Sequence, residues 1–265
     1  MPVEACPCPA PVPGRGRILC RVITVPSGTA PAAAPVGPPL VVADLEGTCT
    51  SGETWRAVGR WLIENGRRGR YRRFVAPRLA ILPLVRLGAV PRQAFRERWI
   101  WDLAGLLDGL TQGELEAVAR QIVEDELWPK RRVAVVEALE AAAADGARVV
   151  IASGTYEPML AGFIARLAGG PAGPVIGLGT PLEMAGGRTT GRLAGQVGTG
   201  ALKADRVAAL AAGAPVRTAF GDSLADVPML ELAAEAVAVA PERELRALAT
   251  ARGWRILDDS PGAPR

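Results

Sequence analysis

The stretch Leu40-Val41-Val42-Ala43-Asp44-Leu45-Glu46-Gly47-Thr48 decides how the chain is read. Four apolar residues too short for a helix run directly into an acid, and a Gly-Thr turn follows. Such a run reads as a strand buried on both faces, with Asp44 at its carboxyl end. A second run, Arg148-Val149-Val150-Ile151-Ala152, ends in the same way at Ser153-Gly154-Thr155. A further strand is predicted at 216–220, ending at Gly221-Asp222-Ser223.

Around these runs the pattern alternates. Helices are predicted at 156–168, 201–212, 224–233 and 242–252. Strands are predicted at 174–178, 236–239 and 254–257, and a Gly-rich hairpin at 182–195. Strands separated by helices imply an α/β fold with a doubly wound, Rossmann-like parallel sheet. Between the first two strands lie five helix-like segments, 52–66, 72–89, 92–108, 112–127 and 129–145. That is too long for a simple crossover and reads as an inserted helical cap. The expected division is a catalytic core of 40–50 and 146–258, a cap of 51–145, and short tails. Residues 1–39 hold ten of the 23 prolines and read as a disordered tail, as does 259–265.

Composition removes several chemistries. There is no histidine among the 265 residues. Ser-His-Asp and Cys-His catalysis and nearly all catalytic zinc sites need imidazole. Acid–base work therefore falls to carboxylates, Tyr, Cys or Lys. The formal charge of +4 is too small to imply a nucleic-acid partner. The four cysteines, Cys6, Cys8, Cys20 and Cys49, form no CxxC pair, which suits a cytoplasmic protein without a disulfide framework. Of 31 basic residues only Lys130 and Lys203 are lysine. In a chain so biased toward Arg, a retained Lys singles itself out.

Ligands of open parallel sheets bind beyond the carboxyl ends of the strands. Asp44, Glu46, Ser153, Asp222 and Asp226 all belong to such ends, and Lys203 begins the helix after the hairpin. Acids gathered that closely repel one another unless a cation sits among them, and all-oxygen ligation favours Mg²⁺.

The four segments, in order, resemble the motifs of the haloacid dehalogenase superfamily. They are Asp44-Leu45-Glu46-Gly47-Thr48, Ser153, Lys203, and Gly221-Asp222-Ser223-Leu224-Ala225-Asp226. The ending Asp226-Val227-Pro228-Met229-Leu230 resembles the phosphoserine-phosphatase-like branch. The resemblance covers about residues 40–258. It implies a Mg²⁺-dependent phosphatase in which Asp44 attacks phosphorus and carries the phosphoryl group, while Glu46 moves the proton. Ser153 and the Gly154 N–H hold phosphate oxygens, Thr48 belongs to the substrate-binding set, and Lys203 neutralises charge. Asp44, the Glu46 main chain, Asp222 and Asp226 hold the metal. Glu46 departs from the pattern, where the second acid is usually Asp. This leaves open whether water or another acceptor takes the phosphoryl group.

The resemblance also implies an amino-acid clamp. Glu53 falls where a Glu binds the substrate amine. Arg98, in Phe95-Arg96-Glu97-Arg98, falls where an Arg binds its carboxylate. Both also read as ordinary helix charges. Ala225 stands where those enzymes carry Asn, which leaves other small phosphomonoesters open. A basic run, Arg67-Arg68-Gly69-Arg70-Tyr71-Arg72-Arg73-Phe74, precedes an apolar one at 75–90. It reads as a solvated helix face, as a contact with a membrane surface, or as a contact with an anionic substrate or nucleic acid, and the membrane contact suits a phospholipid head-group phosphatase.

Overall fold

The computed structural model describes residues 37–167 and 175–258. The expected tails at 1–39 and 259–265, with Cys6, Cys8 and Cys20, lie almost wholly outside these residues.

The first run is strand β1 (Leu40–Ala43). It pairs in parallel with β2 (Arg148–Tyr156) on one side and β6 (Val216–Gly221) on the other. With β3 (Val175–Thr180), β7 (Ala233–Val239) and β8 (Arg255–Leu257) the sheet runs β3-β2-β1-β6-β7-β8, parallel throughout. Strand order reverses between β1 and β6, so a crevice opens at their carboxyl ends. An antiparallel hairpin, β4 (Leu182–Ala185) with β5 (Arg188–Leu193), stands apart from the sheet.

Every residue of β1 is buried because both faces are covered. Val41 and Ala43 share one buried cluster with Val135 and Leu139 of α5 (Val133–Ala144) and Phe163 of α6 (Glu157–Leu167). Leu40 and Val42 share another with Val207 of α7 (Gly200–Ala211) and Met229 of α8 (Val227–Leu230). The period of two along a strand produces this division. Helix α9 (Arg243–Arg252) precedes β8.

Between β1 and β2 the insertion contains α1 (Thr54–Glu64), α2 (Arg68–Arg86), α3 (Arg92–Ala104) and α4 (Gln112–Ile122) before α5. The expected helices are present with shifted ends. The one expected over 72–89 starts four residues earlier and continues through Pro77 and Pro83. Each proline removes one backbone hydrogen bond, and both rings lie on the exposed side of α2, where water reaches the freed carbonyls. The segment expected at 112–127 ends α4 at Ile122 and adds a π-helical turn, Val123–Leu127. The segment expected at 224–233 shrinks to a 3₁₀ turn plus α8, because β7 begins at Ala233.

Candidate active site

The loop after β1 is built to aim side chains upward. Asp44 N–H donates to Phe220 O at 3.0 Å, which ties the strand end to β6. Thr50 N–H returns to Leu45 O at 3.0 Å and closes a tight turn. Gly47 sits in this turn with φ +93°. A Cβ there would lie 2.2 Å from Asp222 Oδ2, so only glycine lets the two loops meet.

Lys203, from the first turn of α7, is 4% exposed. Its Nζ donates to Asp44 Oδ1 and to Asp226 Oδ1, each at 2.6 Å. The other Asp226 oxygen accepts from Ser223 N–H at 3.1 Å and Ser223 Oγ at 3.0 Å. Asp226 therefore spends both oxygens on holding Lys203 and the β6 loop. Thr48 Oγ1 donates to Asp222 Oδ1 at 3.3 Å. Its hydroxyl is engaged with the acid, and Thr48 is absent from the residues that wall the cavity.

Glu46 is also restrained. Its Oε1 accepts from Thr54 Oγ1 at 2.5 Å and from the Thr155 hydroxyl. Thr54 N–H donates to Oε2 at 3.3 Å. Nearby, Thr155 N–H donates to Ser153 Oγ at 3.3 Å, and Thr180 Oγ1 to Gly154 O at 2.8 Å.

Burial makes these charges costly. It raises the Asp44 carboxyl to about 7, with Asp226 and Glu46 adding and Lys203 opposing. Asp222 is pushed well above its ordinary value by burial first, then by Asp226 and Asp44. Burial likewise raises Glu46, against the hydroxyls of Thr155 and Thr54. Asp226 ends below its ordinary value: burial would raise it, and the Lys203 ammonium outweighs that. For Lys203, burial works against the charge, but Asp226 and Asp44 more than restore it.

One ammonium thus faces three acids. Asp44, Asp222 and Asp226 each offer a carboxylate oxygen within 4.8 Å of the others. An excess of buried negative charge with oxygen donors fits a hard divalent cation such as Mg²⁺. With Lys203 on one oxygen each of Asp44 and Asp226, the oxygens left to such an ion belong chiefly to Asp44 and Asp222.

A cavity of about 580 Å³ opens above the group. Asp44, Glu46, Ser153, Gly154, Lys203, Asp222 and Asp226 line its floor. Trp55, Leu82, Phe95 and Trp99 form an apolar wall. Trp99 packs edge to face on Trp55 at 5.2 Å and on Phe95 at 5.6 Å. Glu53 lines the cavity and is paired with Arg56. Arg98 does not line it. Its side chain is 77% exposed and bonds Asp102 at 2.9 Å. Arg96, on the same helix, lines the cavity and pairs with Glu242. Two residues apart on a helix turns a side chain through about 200°, so one arginine faces in and the other out.

Sequence reasoning did not single out Arg132, Thr54 or Thr155. Arg132 is 7% exposed, lines the cavity, and donates from Nε to Gly47 O at 3.0 Å. Its only sequence signal is its place just ahead of the helix that leads to β2. Lys130, the other lysine, is spent on Glu126, a buried acid that Arg60 also binds.

The family model of haloacid dehalogenase-like hydrolases matches residues 41–231. Phosphoserine phosphatase SerB1 of Mycobacterium tuberculosis is 38% identical over 162 residues, which is 57% of this chain and 49% of SerB1. The chain spans about half the length of these curated relatives. Among solved structures, a Bordetella pertussis protein of unknown function superposes with a TM-score of 0.69 at 24% identity, covering 84% of this chain and 99% of that one. A substrate-bound phosphoserine phosphatase superposes with a TM-score of 0.58 at 16% identity, over 84% of this chain and 94% of that one. At these identities the structural likeness speaks for the fold.

Proposed function

Because the chain belongs to the haloacid dehalogenase-like hydrolase family, we propose that it hydrolyses a small phosphomonoester of the phosphoserine type through a phospho-aspartate on Asp44. The observation that carries this reading is the Asp44–Lys203 pair at the floor of the cavity, which Glu46 and Ser153 also line. An Asp44 oxygen attacks phosphorus as the bond to the substrate oxygen breaks. Glu46 gives its proton to the leaving oxygen. Glu46 then takes a proton from water, whose oxygen attacks phosphorus and releases Asp44 and inorganic phosphate. Ser153 and the Gly154 N–H orient the phosphoryl oxygens. Lys203 offsets charge on Asp44 throughout. Phosphoryl transfer depends chiefly on such positioning and neutralisation. Mg²⁺, held by Asp44 and Asp222 with Asp226 and the Glu46 main chain in support, would supply further neutralisation of phosphate charge.

In this reading the insertion over 51–145 is a cap that selects the substrate above a core of 40–50 and 146–258. Glu53 meets a substrate amine, and Arg96, in place of Arg98, meets a carboxylate. Thr48 acts by holding Asp222 rather than by touching substrate. The apolar wall of Trp55, Leu82, Phe95 and Trp99 favours a second reading, a phospholipid head-group phosphomonoester.

A panel of phosphomonoesters, assayed with and without Mg²⁺, tests these assignments. Phosphoserine should release phosphate only with the metal. Phosphatidylglycerophosphate in micelles, if preferred, would favour the second reading. Activity on no phosphomonoester would overturn both.

A further inference from the structure

The outward face of α2 has no role in the chemistry above, yet it is unusual for an exposed surface. Between residues 65 and 96 there are nine arginines and no acid. Arg68, Arg72, Arg73 and Arg86 are exposed and make no ion pair among the described residues. Between them the helix exposes large apolar side chains: Leu79 by 52%, Leu84 by 48%, Ile81 by 38%, and Leu87, just past its end, by 81%. The opposite face is occupied, with Phe74 and Val85 buried and Phe74 packed on Trp99. Contiguous exposed apolar surface of this kind marks a docking site. Leu82, on the same helix, lines the cavity, so the patch borders the entrance.

We propose that this face of α2 docks the protein on an anionic lipid surface, with Leu79, Leu84 and Leu87 entering the acyl boundary and the flanking arginines at the head groups. A bilayer bearing anionic lipid offers negative charge and apolar depth at one surface, which is the pairing that this helix presents. Long arginine side chains reach up to the head groups while their stems stay in apolar surroundings. A second copy of the chain suits the face less well. A symmetric contact would set the same unpaired arginines against each other. No described helix is long and apolar enough to cross a membrane, so the contact is with the surface. Docking of this kind is independent of which phosphomonoester the cavity takes.

The test is sedimentation of the full chain with vesicles of phosphatidylcholine alone and of an equimolar phosphatidylglycerol–phosphatidylcholine mixture. The chain should pellet with the mixture, remain in solution with phosphatidylcholine, and be released by salt. The pair Leu84→Glu and Leu87→Glu should abolish pelleting. The pair Arg72→Glu and Arg73→Glu should weaken it about tenfold or more. Turnover of the soluble chromogenic ester para-nitrophenyl phosphate should be unchanged in both, which shows that they fold. Equal binding to both vesicles, or variants that bind like the unaltered chain, would overturn the proposal. Binding to neither would also overturn it, whether a second copy or the chain's own N-terminal segment covers the face. A dimer that Leu87→Glu dissociates would identify the copy.

Discussion

Lys203 Nζ lies 2.6 Å from Asp44 Oδ1 and 2.6 Å from Asp226 Oδ1, with all three side chains buried. Two acids from different strand ends are thereby joined by one ammonium carried on a helix. Lys203→Met should strand both carboxylates without their cation. Losing one partner of a buried ion pair costs about 3–5 kcal/mol. We expect a lowered melting temperature and a fall in kcat of at least about 10²-fold. Lys203→Arg should restore little, since a planar guanidinium does not replace a compact ammonium between two acids. Kinetics and thermal unfolding of both variants check this.

Glu46 should control the pH profile. Burial holds its pKa above the ordinary 4.5, so the protonated acid persists to higher pH than in an exposed Glu. Proton donation to the leaving group then fails as pH rises through that raised value. The Thr155 hydroxyl stabilises the carboxylate, so Thr155→Val should move this limb of kcat/KM to still higher pH. Glu46→Gln should remove the limb and most of the activity. A limb unmoved by either change would assign it to another group.

Metal dependence should be sensitive to a residue with no charge. Asp222→Asn takes the charge from a proposed Mg²⁺ ligand and should weaken the apparent Mg²⁺ affinity by about 100-fold or more. Gly47→Ala should behave similarly, because its Cβ would meet the Asp222 carboxyl at 2.2 Å in a left-handed backbone position. Activity titrated against Mg²⁺ after chelation measures both. A Gly47→Ala enzyme with unchanged metal affinity would show that the two loops are not held together by this contact.

The two arginines of α3 should separate cleanly. If the substrate carries a carboxylate, Arg96→Ala should raise its KM by about 10–100-fold, the worth of a charged hydrogen bond. Arg98→Ala should leave KM unchanged, since that side chain faces solvent beside Asp102. The reverse pattern would return the clamp to Arg98.

The division between these arginines shows what a sequence reveals. The convergence of Asp44, Glu46, Lys203, Asp222 and Asp226 on one cavity was legible because strand ends and a helix start fix where such residues go. The parallel sheet and the helical insertion followed from the same runs, whereas the strand order β3-β2-β1-β6-β7-β8 came only with the structure. Arg96 and Arg98 were not separable, because α3 carries charged and aromatic residues around much of its circumference, so its rotation is set by packing of Trp99 on Trp55 and Phe74. Thr54 and Arg132 went unnoticed for a related reason. Each reaches the site through a contact that only the folded loop makes: Thr54 by way of Glu46, eight positions back across the turn, and Arg132 by way of Gly47, 85 positions away. The continuous α2 was hidden by Pro77 and Pro83, whose outward placement only the packed helix reveals.

In the proposed mechanism Asp44 carries the phosphoryl group covalently. Rapid quenching during turnover of a good phosphomonoester, followed by mass spectrometry of the digested protein, tests it directly. The expected result is a peptide containing Asp44 that is heavier by one phosphoryl group, labile to hydroxylamine, and absent from Asp44→Asn. Turnover with no acyl phosphate at Asp44, or turnover that survives Asp44→Asn, would contradict it.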